Sequence, residues 1–111
     1  MTKGGGTFRG GFAEFQRQAM RIQRRLEELQ EEMKTRQQEA VVGGGKVRAV
    51  VSGAKEVVSI HLDPEVIKPD DAAMLQDLVV SAVNAALRKV DEMIDEETNK
   101  VTGGLKIPGL T

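Results

Sequence analysis

The chain has 111 residues, enough for one domain, and a chain this small buries a smaller fraction of its surface than a larger one, so self-association is expected from the outset. Sixteen basic residues against seventeen acidic ones leave a net charge of −1, so any electrostatic function must come from how the charge is distributed. Without cysteine there are no disulfides, thiol nucleophiles or thiolate metal sites; no apolar run nears the roughly 20 residues that cross a bilayer, residues 1–11 lack the apolar stretch of a signal peptide, and a soluble cytoplasmic protein is expected.

Residues 1–11, MTKGGGTFRGG, carry five glycines with Lys3 and Arg9. That composition buries too little surface to hold a shape, and predicts a flexible basic arm. The three aromatic residues, Phe8, Phe12 and Phe15, all lie at this end, so the rest of the core must be aliphatic. From Phe12 the apolar residues Phe12, Phe15, Ala19, Ile22, Leu26, Leu29 and Met33 step alternately by three and four. This heptad seam predicts a helix over about residues 11–38. With Phe12 at position a, Arg17 and Arg24 take position f and Arg21 position c, opposite the seam.

The stretch RQAMRIQRRLEELQEEM, residues 17–33, places four arginines in its first half and four glutamates in its second. A helix dipole favours the reverse. Arg24 with Glu28 is an i,i+4 pair in the less favourable order, contributing only a few tenths of a kcal/mol. Residues 1–25 therefore hold Lys3, Arg9, Arg17, Arg21, Arg24 and Arg25 against Glu14, an excess of five positive charges. Arg17 to Arg24 spans about 10.5 Å of helix, a length over which phosphates can be neutralised without base readout. The competing structural reading pairs these arginines with Glu27, Glu28, Glu31 and Glu32 of an antiparallel partner helix.

Gly43, Gly44 and Gly45 end the helical reading. In residues 46–52 Val47, Ala49 and Val51 share one face; in residues 56–62 Val58, Ile60 and Leu62 do. Ser52-Gly53-Ala54-Lys55 predicts a two-residue type II′ hairpin that pairs Val47 with Ile60 and Ala49 with Val58. Glu39 to Val42 is a candidate third strand. Asp63-Pro64 closes the sheet, and Pro69-Asp70-Asp71 opens a second helix running to about Lys100. Its apolar set is too broad for a coiled coil: Leu75, Leu78, Val79, Ala82, Val83, Ala86 and Val90, with flanking apolar residues, predict a core helix that meets both a sheet and a second chain. Residues 12–100 thus form one α+β domain: long helix, two or three antiparallel strands, long helix. Residues 101–111, with Gly103-Gly104 and Pro108-Gly109, read as a mobile tail or one docked through Leu105 and Ile107.

The residues give little support to catalysis. His61, the only histidine, falls on the polar side of its strand with Ser59, without an oxyanion loop beside it. Gly43-Gly44-Gly45-Lys46 lacks the glycine spacing and following helix of a phosphate loop, and Asp63, Glu65, Asp70 and Asp71 lack the ligand alternation of a calcium loop. No catalytic residue, metal, cofactor, small-molecule substrate or membrane partner is expected. The strands carry no aromatics for stacking on single strands.

DPEVI at 63–67, MLQDLVVSAVNAALRKVDE at 74–92 and TGGLKIPGL at 102–110, with the glycine triplet before an alternating strand, resemble the YbaB/EbfC family of bacterial nucleoid-associated proteins. The resemblance covers essentially the whole chain. It implies an intertwined homodimer whose helices project from a central sheet, which binds duplex DNA with little sequence preference and alters its shape. It also implies a place in nucleoid organisation, gene regulation and DNA protection. The family's first helix is typically rich in Met and Lys, whereas this one uses Arg and Phe. Because the signature lies mainly in the second helix, the resemblance assigns no DNA contact; Lys3, Arg9, Arg17, Arg21, Arg24 and Arg25 are candidates on charge alone. The alternative is a prefoldin-like interaction or chaperone subunit without DNA binding, which requires a coiled-coil seam in both helices.

Overall fold

The computed structural model describes the backbone of residues 2–103 and the side chains of residues 11–103. The chain runs α1 (Thr2–Lys34), β1 (Gln37–Val42), β2 (Val47–Ser52), β3 (Val57–Leu62) and α2 (Ala72–Thr102), with short 3-10 turns at Pro64–Val66 and Pro69–Asp71 before α2. Among the described residues the strands form one antiparallel sheet in the order β1-β2-β3. The α+β class and the third strand agree with expectation.

The core is a sandwich of α2 on two strands. Val47, Ala49 and Val51 of β2 and Ala40 of β1 are buried against Ala82, Ala86 and Val90 of α2. Small residues at 82 and 86, four apart, bring the helix backbone close to the sheet. Leu75, Leu78, Val79 and Val83 are half-buried at the margin of this cluster. Lys55 pairs with Asp91 at 3.0 Å, and the Lys89 ammonium donates to the Glu39 carbonyl at 2.9 Å, tying both ends of the sheet to α2.

α1 joins this core only through its C-terminal end. Leu29 and Met33 are buried with Met93, and Ile94 and Val101 pack beside them. Ile22 lies across an open crevice from Val101 while Met33 lines a groove with Ile94, so the two helices run antiparallel. α2 ends at Thr102, level with about Ile22, and α1 continues beyond it for about 30 Å at 1.5 Å per residue. The molecule is a rod: its radius of gyration is 22.3 Å and its longest dimension 84 Å, against about 13 Å for the radius of a compact chain of this length.

Four sequence expectations are corrected. The backbone is already helical at Thr2, where a flexible arm through Gly11 was expected; the nucleation cost is borne by the long downstream helix, and extension adds one hydrogen bond per residue. At its other end α1 stops at Lys34 rather than near residue 38, because Gln37 and Gln38 pair with Ser52 and Val51 in the sheet. α2 reaches Thr102, two residues past Lys100, and is capped by Gly103 in the left-handed conformation. The expected tail therefore begins after Val101 and Thr102, and its part from residue 104 onward lies outside the described residues.

The hairpin register is the fourth correction. Val47 pairs with Leu62 and Ala49 with Ile60, two residues from the expected partners, and a bulge leaves Val57 rather than Val58 opposite Val51. A three-residue loop accounts for one residue of this shift and the bulge between Val50 and Val51 for the other. Ser52 N–H donates to the Glu56 carbonyl at 2.9 Å, Lys55 N–H donates to the Ser52 carbonyl at 2.8 Å, and Lys55 itself takes φ +63°. This is a tight turn followed by a left-handed residue instead of the type II′ loop. The Ser52 hydroxyl accepts from the Ala54 and Glu56 amides at 3.3 Å each, which favours this closure. A two-residue shift keeps Ile60 and Leu62 on the expected face, since side chains alternate with a period of two.

Candidate nucleic-acid interface

The arginine face of α1 runs from the projecting segment, which carries Arg17 and Arg21, to Arg24, just inside the level where α2 ends. At 100° per residue Arg17, Arg21 and Arg24 fall within an arc of about 60°, opposite the seam that holds Leu29 and Met33. All three are exposed. Arg17 pairs with Glu14 at 2.6 Å, and Arg21 Nε donates to the Arg17 carbonyl at 3.5 Å. Among the described residues neither Arg21 nor Arg24 forms an ion pair. Their charge is available to an anionic partner.

Arg25 behaves differently. Its guanidinium meets Glu32 at 2.7 Å, two turns along the helix, and Glu28 at 3.6 Å, taking the partner expected for Arg24. The hydrogen bond that Arg25 donates to Glu32 raises the guanidinium above its ordinary value, and the same bond holds the Glu32 carboxyl below the usual carboxylate range. Arg25 is thus neutralised within its own helix. The side chains of Lys3 and Arg9 lie outside the described residues. Of the six candidate phosphate contacts, the structure brings Arg17, Arg21 and Arg24 onto one exposed face and turns Arg25 toward glutamates.

Beside this face is an open crevice of about 600 Å³ between α1 and the end of α2, lined by Glu14, Arg21, Ile22, Arg25, Glu97 and Lys100 among others. Lys100 was not among the sequence candidates. Its signal was a lysine in the last turn of a helix, which reads equally well as a dipole partner. Here Lys100 pairs with Glu97 at 3.1 Å, and Arg36 approaches the same carboxylate at 3.8 Å. Bases and acids alternate around the crevice, so it forms no dedicated anion site.

The remaining motifs resolve as structural features. Gly43, Gly44 and Gly45 all take positive φ in the loop between β1 and β2, which explains three consecutive glycines. Lys46 pairs with Glu65 across the end of the sheet, which raises its ammonium above the ordinary lysine value. The Asp63 carboxylate accepts from the Glu65 amide at 2.9 Å as a turn cap. His61 is exposed opposite Arg48. Among the described residues no helix is long and apolar enough to cross a membrane.

A second exposed feature is apolar. Leu62 and Ile60 are paired with Val47 and Ala49, so they share the sheet face that α2 covers over β1 and β2. α2 does not extend over β3, and Ile60 and Leu62 stay 39% and 36% exposed in the single chain. Val57, Val58 and Val80 are also exposed. α2 lies on the sheet through Ala82, Ala86 and Val90 and packs against α1 only over its last turns, from Met93 to Val101.

These features define an elongated α+β protein that displays a basic helix face and an uncovered apolar strand. The chain belongs to the YbaB/EbfC DNA-binding family, which matches residues 9–105. It is 50% identical to a nucleoid-associated protein of Acetivibrio thermocellus over 99% of both chains. It is 47% identical to a nucleoid-associated protein of Clostridium acetobutylicum over 99% of this chain and all of that one. Its fold is similar to that of an uncharacterized protein, HP0035, from Helicobacter pylori, with a TM-score of 0.58 at 24% identity over 68% of this chain and 87% of that one.

Proposed function

We propose that the protein is a non-enzymatic nucleoid protein that binds duplex DNA as a homodimer, with little sequence preference, through phosphate contacts from the projecting half of α1. Its place is the nucleoid, where altering DNA shape contributes to chromosome organisation, gene regulation and DNA protection. The observation that carries the reading is the exposed Arg17, Arg21 and Arg24 face, standing clear of the core in a chain of a DNA-binding family. Arginines on an exposed helix face can neutralise phosphates, which carry no sequence information, and this is consistent with loose sequence preference. Lys3 and Arg9, on the same end of the chain, are further candidate contacts. Binding of two unrelated duplexes is the test: comparable affinities are expected, with log affinity falling steeply and linearly with log salt concentration. No binding at low salt defeats the function, and a strong preference for one duplex defeats the loose specificity.

The homodimer is supported by the bare apolar face of β3. A second copy seated there would cover Ile60, Leu62 and the neighbouring valines. Paired charges at Ile60 and Leu62 disfavour that burial strongly. The expected result is a dimer of the parent at micromolar concentration and a monomer of the Ile60→Glu, Leu62→Glu variant in sedimentation equilibrium, with the helical circular dichroism retained. A monomeric parent refutes the assembly.

A further inference from the structure

The apolar seam of α1 is continuous in sequence but is covered along only part of its length. From Met33 back to Ile22 it faces α2; from Ala19 to Phe12 it faces no described element, and Phe12 and Phe15 are 56% and 68% exposed. α2 ends where the cover ends. Val101 and Ile22 line the same crevice, and Gly103, at φ +63° with its N–H donating to the Asn99 carbonyl, terminates the helix there. Because the helices are antiparallel, α2 delivers its C-terminal end, Gly103, to the edge of the bare seam.

We propose that residues 104–111 dock in this same chain on the exposed α1 seam, with Leu105 and Ile107 against Ala19, Phe15 and Phe12. The reach is sufficient: nine residues from Gly103 to Thr111 extend up to about 30 Å, whereas Ile22 to Phe12 covers about 15 Å of helix. Leu105 and Ile107 are two apart and lie on one side of an extended segment. Leu105 falls two residues past the Gly103 cap, about level with Ala19, whose small side chain leaves room. Ile107 then falls about level with Phe15. The tail also has an advantage over a second copy of α1, because a tether this short gives an effective concentration on the order of millimolar. Docked in this way it continues the α1–α2 interface and leaves Arg17, Arg21 and Arg24, on the opposite face, open. The inference rests on packing alone and does not depend on the DNA reading.

The absence of cysteine makes a clean test possible. In the full-length protein, Ala19→Cys with Leu105→Cys is oxidised mildly beside a control, Arg24→Cys with Leu105→Cys, whose first position lies on the opposite face. The expected result is an intrachain disulfide in most molecules of the first pair, at least fivefold above the control, read by mass spectrometry of unreduced protein. Hydrogen exchange supplies a second readout without cysteine. Leu105→Asp with Ile107→Asp is expected to speed amide exchange over residues 12–22 about tenfold and to leave residues 29–33 unchanged. Cross-linking at the control level, a predominant disulfide between two chains, or exchange over residues 12–22 insensitive to the aspartates overturns the proposal.

Discussion

Changing Arg17, Arg21 and Arg24 together to glutamate lowers duplex affinity by two or more orders of magnitude in dilute salt and flattens its salt dependence. Each phosphate that is no longer neutralised takes about 0.9 from the slope of log affinity against log salt concentration, so three such phosphates reduce it by about 2.7. Reversal adds repulsion to the loss of attraction. The fold is not at stake, because all three side chains are exposed and stand opposite the seam that holds Leu29 and Met33. Exposed pairs such as Arg17 with Glu14 contribute at most about 1 kcal/mol. Residues 17–24 lie in the middle of α1, away from the terminal turns where the helix dipole acts, and Glu and Arg have similar helix propensities, so helix content should hold while DNA affinity falls. Arg25→Glu should cost less affinity than Arg24→Glu, since Arg25 is already engaged by Glu32 and Glu28. Fluorescence anisotropy over a salt series, with circular dichroism of each variant, separates the two effects. An unchanged slope for the triple variant removes the assignment of these arginines.

How much of this was legible beforehand depends on what kind of physics each feature rests on. The α1 seam, the alternation of Val47, Ala49 and Val51, and the breadth of the α2 apolar set are periodic signals, and each buried face agrees with its period. Periodicity identifies an apolar face but not what covers it. The heptads of α1 read the same at Phe15 as at Leu29, although one is 68% exposed and the other buried. Tertiary pairing likewise decided where α1 stops, since nothing local in Gln37 and Gln38 prefers a strand. At the candidate site the arginine face followed from helical spacing, but the division between Arg24 and Arg25 did not. Both lie within reach of glutamates one or two turns on, and rotamer geometry selects Arg25. The hairpin register failed for a further reason. Gly53 suggested a left-handed turn position, yet that conformation falls on Lys55; Gly53 answers to a close approach by a residue twenty positions earlier in the chain.

That close approach predicts the largest stability effect. A Cβ at residue 53 would lie far inside van der Waals contact with the Met33 carbonyl oxygen, 2.6 Å from its carbonyl carbon and 3.3 Å from the Lys34 nitrogen. These are backbone atoms, so no side-chain rotation relieves the overlap. The Gly53 N–H also donates to the Arg36 carbonyl at 2.9 Å, fixing the hairpin loop against the end of α1. Gly53→Ala must therefore separate loop and helix and break this bond, a cost of about 3 kcal/mol when overpacking and a broken hydrogen bond are combined. For a chain of this size that lowers the melting temperature by about 10–20 °C. Gly44→Ala is the control: its φ of +67° imposes a left-handed strain, but nothing lies within 4 Å, so about 1 kcal/mol is expected. Equal melting shifts for the two variants would show that the close approach carries no weight. The position matters beyond stability, because α1 touches the core only near Leu29 and Met33, and the loop at Gly53 holds that end. Loosening it frees the arginine-bearing helix to pivot. Duplex affinity of Gly53→Ala, measured well below its melting temperature, should consequently fall although every arginine remains in place.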